Sequence, residues 1–134
     1  MNTRISVITA GAMALALMGA GCSSQVSVDT QAPQPAQPPS PRVQAMTFNP
    51  EGLAPNTLTV QAGDIVEFRN SDLKEHWPAS APHPSHVLYP ELDSKAGVKA
   101  GDVWRFTATK KGTWKFHDHL NAGNVKFQGT LIVQ

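Results

Sequence analysis

Five histidines, His76, His83, His86, His117 and His119, carry the clearest chemistry in this chain, and none lies before position 76. Two of them flank Asp118 in a His-Asp-His run. Imidazole nitrogen and carboxylate oxygen together suit zinc, copper or iron, while the softer ions prefer thiolate. A lone histidine is more often a polar core or surface residue than a ligand. Five crowded between 76 and 119 favour a metal. The one cysteine, Cys22, excludes an internal disulfide, a zinc site of several thiolates and a CxxC redox pair. There is no serine elbow, no glycine-rich phosphate loop and no pair of catalytic acids, so no enzyme activity is expected. Histidine–aspartate pairs also bind metals in phosphohydrolases, but those are helical and this segment reads as strand.

The elements that must position these residues are short strands. Ile65–Arg69 and Val103–Thr107 alternate apolar with polar residues, Thr113–His117 and Thr130–Val133 add two more, and Ala45–Phe48 and Leu58–Val60 read as short edges. Turn signals separate them at Asn49-Pro50, Ala62-Gly63-Asp64, Ala100-Gly101-Asp102 and Lys111-Gly112. No stretch has a convincing helical period, although Leu92–Val98 has room for a turn. The segment Val60–Arg69 is echoed by Val98–Thr107, including the Ala-Gly-Asp turn. Two copies are too few for a solenoid, and the echo reads as one turn-into-strand device used once in each sheet of a sandwich. The expected fold is all-β, a sandwich of short antiparallel strands.

Alternation also sorts the site. Along Trp114–His119, Trp114, Phe116 and Asp118 share one face, and Lys115, His117 and His119 the other. The aromatics mark the first face as the core, so Asp118 points into the domain. A carboxylate there is hydrogen-bonded, paired or metal-bound. The alternative to a ligand is an Asp118 that accepts hydrogen bonds from loop amides. The loop Trp77–Asp93 carries His83, His86, Tyr89 and four prolines. It reads equally as a rigid cover plugged by Trp77 and Tyr89 or as a source of further ligands.

The chain's 134 residues suffice for one domain plus ends, with 40% apolar residues, 16% charged and a formal charge of +1. No basic face for nucleic acid is present. Residues 1–22 run from Arg4 through an uncharged apolar stretch to Gly19-Ala20-Gly21-Cys22. That order is a secretory signal, too short to span a membrane. Its end resembles a bacterial lipobox, with Cys22 as the lipidated residue and Gly19 where leucine is usual. An ordinary signal peptide cut near Cys22 is the alternative. Removal of residues 1–21 leaves a neutral chain, so membrane contact comes through acyl chains alone. Residues 22–43 form a proline-rich spacer without the apolar residues needed to fold, and residues 44–134 form the domain.

From Ala45 to Gln134 the sequence resembles the cupredoxins, the Greek-key sandwiches of blue copper proteins. The likeness rests on Phe48–Leu53, on Val60–Asn70, on Gly112–His119 and on Gly129–Val133. The motifs His76-Trp-Pro-Ala-Ser80, His83-Pro-Ser-His86, Tyr89-Pro90 and Phe116–Asn121 resemble those of a histidine-rich, secreted bacterial subgroup. The resemblance places His76 as the first copper histidine, Asp118 where the blue site has cysteine and Phe127 near the usual methionine. Asn121 to Gly123 stand where the second histidine is expected. A blue site needs the thiolate, so a blue centre is excluded. His117 and His119 also resemble the His-x-His of multicopper oxidases, whose cluster a single domain cannot build.

The expected centre therefore uses His76 and Asp118, joined by His119, His117 or both, with His83 and His86 behind them. Copper is the expected ion, with zinc or iron as alternatives. The expected protein is an extracytoplasmic lipoprotein, periplasmic or in the cell envelope and anchored to the outer membrane. It stores or delivers copper, or passes electrons, and it meets a periplasmic protein partner. The competing reading is a metal-free scaffold of the same fold that uses the loop face for protein contacts.

Overall fold

A computed structural model describes residues 39–134 of the chain. The expected signal segment 1–21, Cys22 and most of the expected spacer lie outside the described residues. Eight strands follow in order: β1 (Val43–Asn49), β2 (Gly52–Ala54), β3 (Thr57–Val60), β4 (Ile65–Asn70), β5 (Pro78–Ser80), β6 (Val103–Thr107), β7 (Gly112–Asp118) and β8 (Gln128–Val133). Two single 3₁₀ turns, His119–Asn121 and Val125–Phe127, lie between β7 and β8. β1 takes in Val43, which the sequence reading leaves in the spacer.

The strands form two four-stranded sheets, ordered β2-β1-β4-β6 and β3-β8-β7-β5. Each sheet is mixed, because β1 runs parallel to β4 and β3 parallel to β8. The expectation of antiparallel strands throughout is corrected there. β1 is also not an edge: it lies between β2 and β4, and its Met46 and Phe48 are fully buried. β2 and β5 are too short for an alternating pattern to reveal them.

The repeated segments lie side by side in one sheet rather than in opposite sheets. β4 and β6 pair antiparallel with Glu67 facing Arg105, which is its own counterpart in the echo. The turns match in the same way. Gly63 donates to the Ala108 carbonyl and Ala108 to that of Asp64, while Gly101 donates to Asn70 and Asn70 to Asp102. Both glycines have positive φ, 96° and 83°, which only glycine adopts without strain. The echo is thus a local two-fold about the Glu67–Arg105 pair. The guanidiniums of Arg69 and Arg105 donate to Glu67 at 2.8 and 2.6 Å. These bonds, opposed by burial, hold its carboxyl below the usual range.

Between the sheets lies an aromatic core. Phe68 of β4 meets Phe116 of β7 edge-on at 5.1 Å and packs against Phe48, Trp104 and Phe106. Gly129 lets this closure happen. A Cβ there would strike the Phe116 ring and sit 2.9 Å from the Asn56 carbonyl. Gly129→Ala is therefore expected to lower unfolding free energy by about 1–3 kcal/mol, the usual cost of overpacking. Denaturant titration reads that loss, and an unchanged midpoint would show that the sheets can spread at no cost.

Candidate metal centre

The end of β7 and the long loop after β5 meet on the outer side of the second sheet. His117 lies near the end of β7, opposite Ala79 of β5 and Gln128 of β8. β7 ends at Asp118 and the chain turns, so His119 swings back, its amide donating to the Trp77 carbonyl at 2.7 Å. The loop brings His83 and His86. Tyr89 and Leu92 are fully buried and anchor it, the Tyr89 hydroxyl accepting from the Thr109 and Lys110 amides at 2.8 and 3.0 Å. His86 adopts the left-handed region at φ 52°, costly for a residue with a side chain. Its amide donates to the Pro82 carbonyl and its carbonyl accepts from Ser80 Oγ at 2.9 Å, which fix that conformation.

One ring nitrogen from each of His83, His86, His117 and His119 lies within 4.8 Å of the others. His86 Nε2 and His119 Nδ1 are 2.9 Å apart, and His83 Nδ1 and His117 Nε2 are 3.3 Å apart. Nitrogens bound to one ion at about 2.0–2.1 Å stand roughly 2.9 Å apart in a square plane and roughly 3.3 Å apart in a tetrahedron. Those two spacings match the ligands of a single ion, while the 4.8 Å spread of the whole group exceeds the roughly 4.1 Å possible across one ion, so the rings must draw in to hold it. His86 and His117 are buried, His119 is half-buried and His83 is exposed.

Asp93, which the sequence reading does not single out, supports this group. Its Oδ2 accepts from His86 Nδ1 at 2.8 Å and its Oδ1 from Trp77 Nε1 at 2.7 Å. With Nδ1 donating, His86 presents its lone pair at Nε2, the carboxylate–histidine arrangement common behind metal ligands. The Trp77 ring then packs on His119 at 4.4 Å, so one carboxylate orients two of the four imidazoles. Burial alone would raise the Asp93 pKa, but hydrogen bonds from Lys95, Trp77 and His86 drive it far below the usual carboxylate range. Burial lowers the pKa of His117 and of His119, and the neighbouring histidines lower each further. Lowered values keep these rings neutral, the form that binds a metal.

His76 and Asp118 stand apart from this group. His76 Nδ1 faces Asp118 Oδ2 at 2.8 Å, and its Nε2 faces Asp72 Oδ2 at 3.1 Å. The ring lies parallel to Phe48 at 4.6 Å, with Phe127 at 4.6 Å as well. Asp118 also accepts from the Trp77 amide, the Leu120 amide and Asn121 Nδ2 at 2.8, 3.1 and 2.6 Å. Neither residue has a donor atom left for an ion. Asp118 thus takes the alternative role, accepting hydrogen bonds from loop amides. The expected set of six candidates divides across β7, with Asp118 and His76 inside the sandwich and the other four histidines outside. The place a thiolate-copper site would use holds a hydrogen-bonded histidine and Phe127, so that kind of site does not fit these residues. Asp72, four residues before His76, has its pKa lowered: burial opposes the shift, and His76 with the Leu73 and Lys74 amides outweighs it.

Comparison with known proteins agrees with this architecture. Parsley (Petroselinum crispum) plastocyanin A/B is 29% identical over 83 residues, 53% of this chain and 76% of that protein. A purple cupredoxin from Nitrosopumilus maritimus shares the fold with a TM-score of 0.57 at 17% identity, covering 67% of this chain and 98% of that one. Oxidised plastocyanin from the fern Dryopteris crassirhizoma gives 0.55 at 21% identity, covering 68% and 100%. A family model described as the cupredoxin-like domain matches residues 11–133. With that match over most of its length and two mixed sheets closed on an aromatic core, the chain belongs to the cupredoxin-like family.

Proposed function

We propose that this protein is an extracytoplasmic copper-binding lipoprotein in which His83, His86, His117 and His119 hold one divalent ion for storage or delivery. The observation that carries this reading is the convergence of four imidazole nitrogens within 4.8 Å. The family resemblance to plastocyanin supports copper, and sites of nitrogen donors bind it more tightly than zinc or nickel. Zinc and iron remain the competing ions. Four nitrogens without thiolate or thioether favour the divalent state, which supports holding the ion over fast electron transfer. The metal-free scaffold has one supporting feature: the 2.9 and 3.3 Å contacts pair the histidines with one another.

Copper titration of protein purified without a histidine tag separates the two. One equivalent is expected, with weak d–d colour and no intense blue band, since no thiolate donates charge. His86→Ala and His119→Ala are each expected to weaken binding at least tenfold, and Asp93→Asn by about 10- to 100-fold. Binding that all three variants leave unchanged would remove the four-histidine reading. A melting temperature indifferent to copper, zinc and iron would favour the scaffold, because an ion bound to the native state raises stability by mass action.

The pH dependence has a defined sign. His117 and His119 lie below the ordinary 6.5 in the fold, so the unfolded chain binds more protons as pH falls through that value. Metal-free protein should lose stability from about pH 6.5 downward. It should lose more below about pH 4, as Asp93 and Asp72, both lowered in the fold, are protonated on unfolding. Copper should stay bound somewhat below pH 6.5 and leave on further acidification, since protons compete for the same lone pairs. Melting curves recorded with and without copper from about pH 2.5 to 8 measure these effects, and a metal-free melting temperature flat across that range contradicts the assignment.

The lipoprotein part rests on Gly19-Ala20-Gly21-Cys22 and on the proline-rich spacer behind it. By the sorting habits of lipoproteins, Ser23 after the cysteine favours the outer membrane. Cys22→Ser should move the protein from the membrane fraction to the soluble fraction with the domain still folded, because only acyl chains hold it there. Unchanged membrane retention would refute the anchor.

A further inference from the structure

Two of the four histidines, His83 and His117, line a surface hollow of about 200 Å³ together with Lys115, Gln128 and Ala122 among others. Strand geometry assembles this wall. Lys115 and His117 are two residues apart on the outer face of β7, and Gln128 lies directly opposite His117 on β8. A second hollow of about 220 Å³ shares Lys115 and Gln128 and continues past Asn56, Thr57 and Thr130. No acidic residue lines either hollow, and Lys115 forms no ion pair among the described residues.

Charge decides what this cavity would take. Four neutral imidazoles leave a divalent ion with its full charge. Of the carboxylates near the group, Asp93 is already bonded to the Lys95 ammonium at 2.8 Å, and Asp118, which acts on His117 and His119 from the inner face, is buried against His76. The Lys115 ammonium adds a further positive charge along the same wall. Water and the Gln128 amide solvate such a site without neutralising it.

We propose that this cavity is a binding site for a small anion, a carboxylate or an inorganic anion, which meets the metal ion on one side and Lys115 on the other. The proposal rests on the four-histidine reading. A volume of 200 Å³ admits an anion of a few heavy atoms, since one water occupies about 30 Å³ of liquid.

Azide is the probe, because its binding to divalent copper gives a charge-transfer band absent from the copper protein alone. Copper-loaded protein titrated with azide should show a saturable band. Lys115→Gln should weaken azide about two- to fivefold, the worth of an exposed charge, and leave copper affinity unchanged. Lys99→Gln, outside both hollows, should leave azide affinity alone. Added salt of a non-coordinating anion should shrink the difference between wild type and Lys115→Gln as it screens the lysine. A copper spectrum that azide does not alter, or equal azide affinity in wild type and Lys115→Gln, overturns the proposal while the metal site stands. If no copper spectrum forms before azide is added, the four-histidine reading itself has failed and the anion site falls with it.

Discussion

Asp118 is the point on which the functional end of the domain is built. Its carboxylate gathers His76, the Trp77 and Leu120 amides and the Asn121 side chain. It is fully buried, and a buried carboxylate survives only when its lone pairs are taken. Satisfying them fixes the backbone on both sides of residue 118, the segment that projects His117 and His119 outward. It also ties the start of β5 to the end of β7. Leaving a buried polar group without its hydrogen-bond partner generally costs about 1–3 kcal/mol, and more when the group is charged. The outward histidines therefore inherit their geometry from the inward His76–Asp118 hydrogen bond.

The separation of the inner His76–Asp118 group from the outer histidines follows from the side-chain alternation of β7. Neighbouring residues on a strand point to opposite faces. An aspartate among Phe48, Phe127 and His76 cannot give copper the thiolate that a blue centre needs, but it can bind histidine and amides well. The inner position is hydrogen-bonded to His76, to two loop amides and to Asn121. One residue to either side, the chain faces solvent and the loop after β5. There His83 and His86 can approach His117 and His119 without disturbing the core. A strand and its following turn can thus serve two unrelated purposes on two faces.

Much of the fold was legible in the sequence. The alternation in Ile65–Arg69 and Val103–Thr107 identified β4 and β6, and the aromatic face of Trp114–Asp118 pointed Asp118 inward. The sheet partnership of the echoed segments was not legible. Periodicity reports which face is buried and not which strand lies alongside, and only the Glu67–Arg105 register reveals the local two-fold. β1 looked like an edge because its run is short, yet pairing with β2 and β4 buries it. At the site, residue types indicated a metal, and spacing put His76 and Asp118 first, whereas the structure gathers His83, His86, His117 and His119. His76 resembled a first ligand by its place after Asn70, and nothing local showed that Asp72 would occupy its second nitrogen. Asp93 was invisible for a related reason. Its role depends on the loop doubling back upon His86 and Trp77, and no periodic pattern encodes that.

The loop from Trp77 to Asp93 shows why a rigid cover and the proposed ligand source are compatible readings. Tyr89 and Leu92, both fully buried, give the loop its hold on the core, and that burial offsets the strain of His86 in the left-handed region. A loop held less firmly would let His86 relax to an ordinary conformation and turn its Nε2 away from His119. The Asp93 carboxylate needs the same rigidity, since it must meet Trp77, His86 and Lys95 at once. Packing beneath the loop and donor geometry above it are one constraint. The two residue types that read as rivals in the sequence, aromatic plug and imidazole ligand, therefore occur together on one segment.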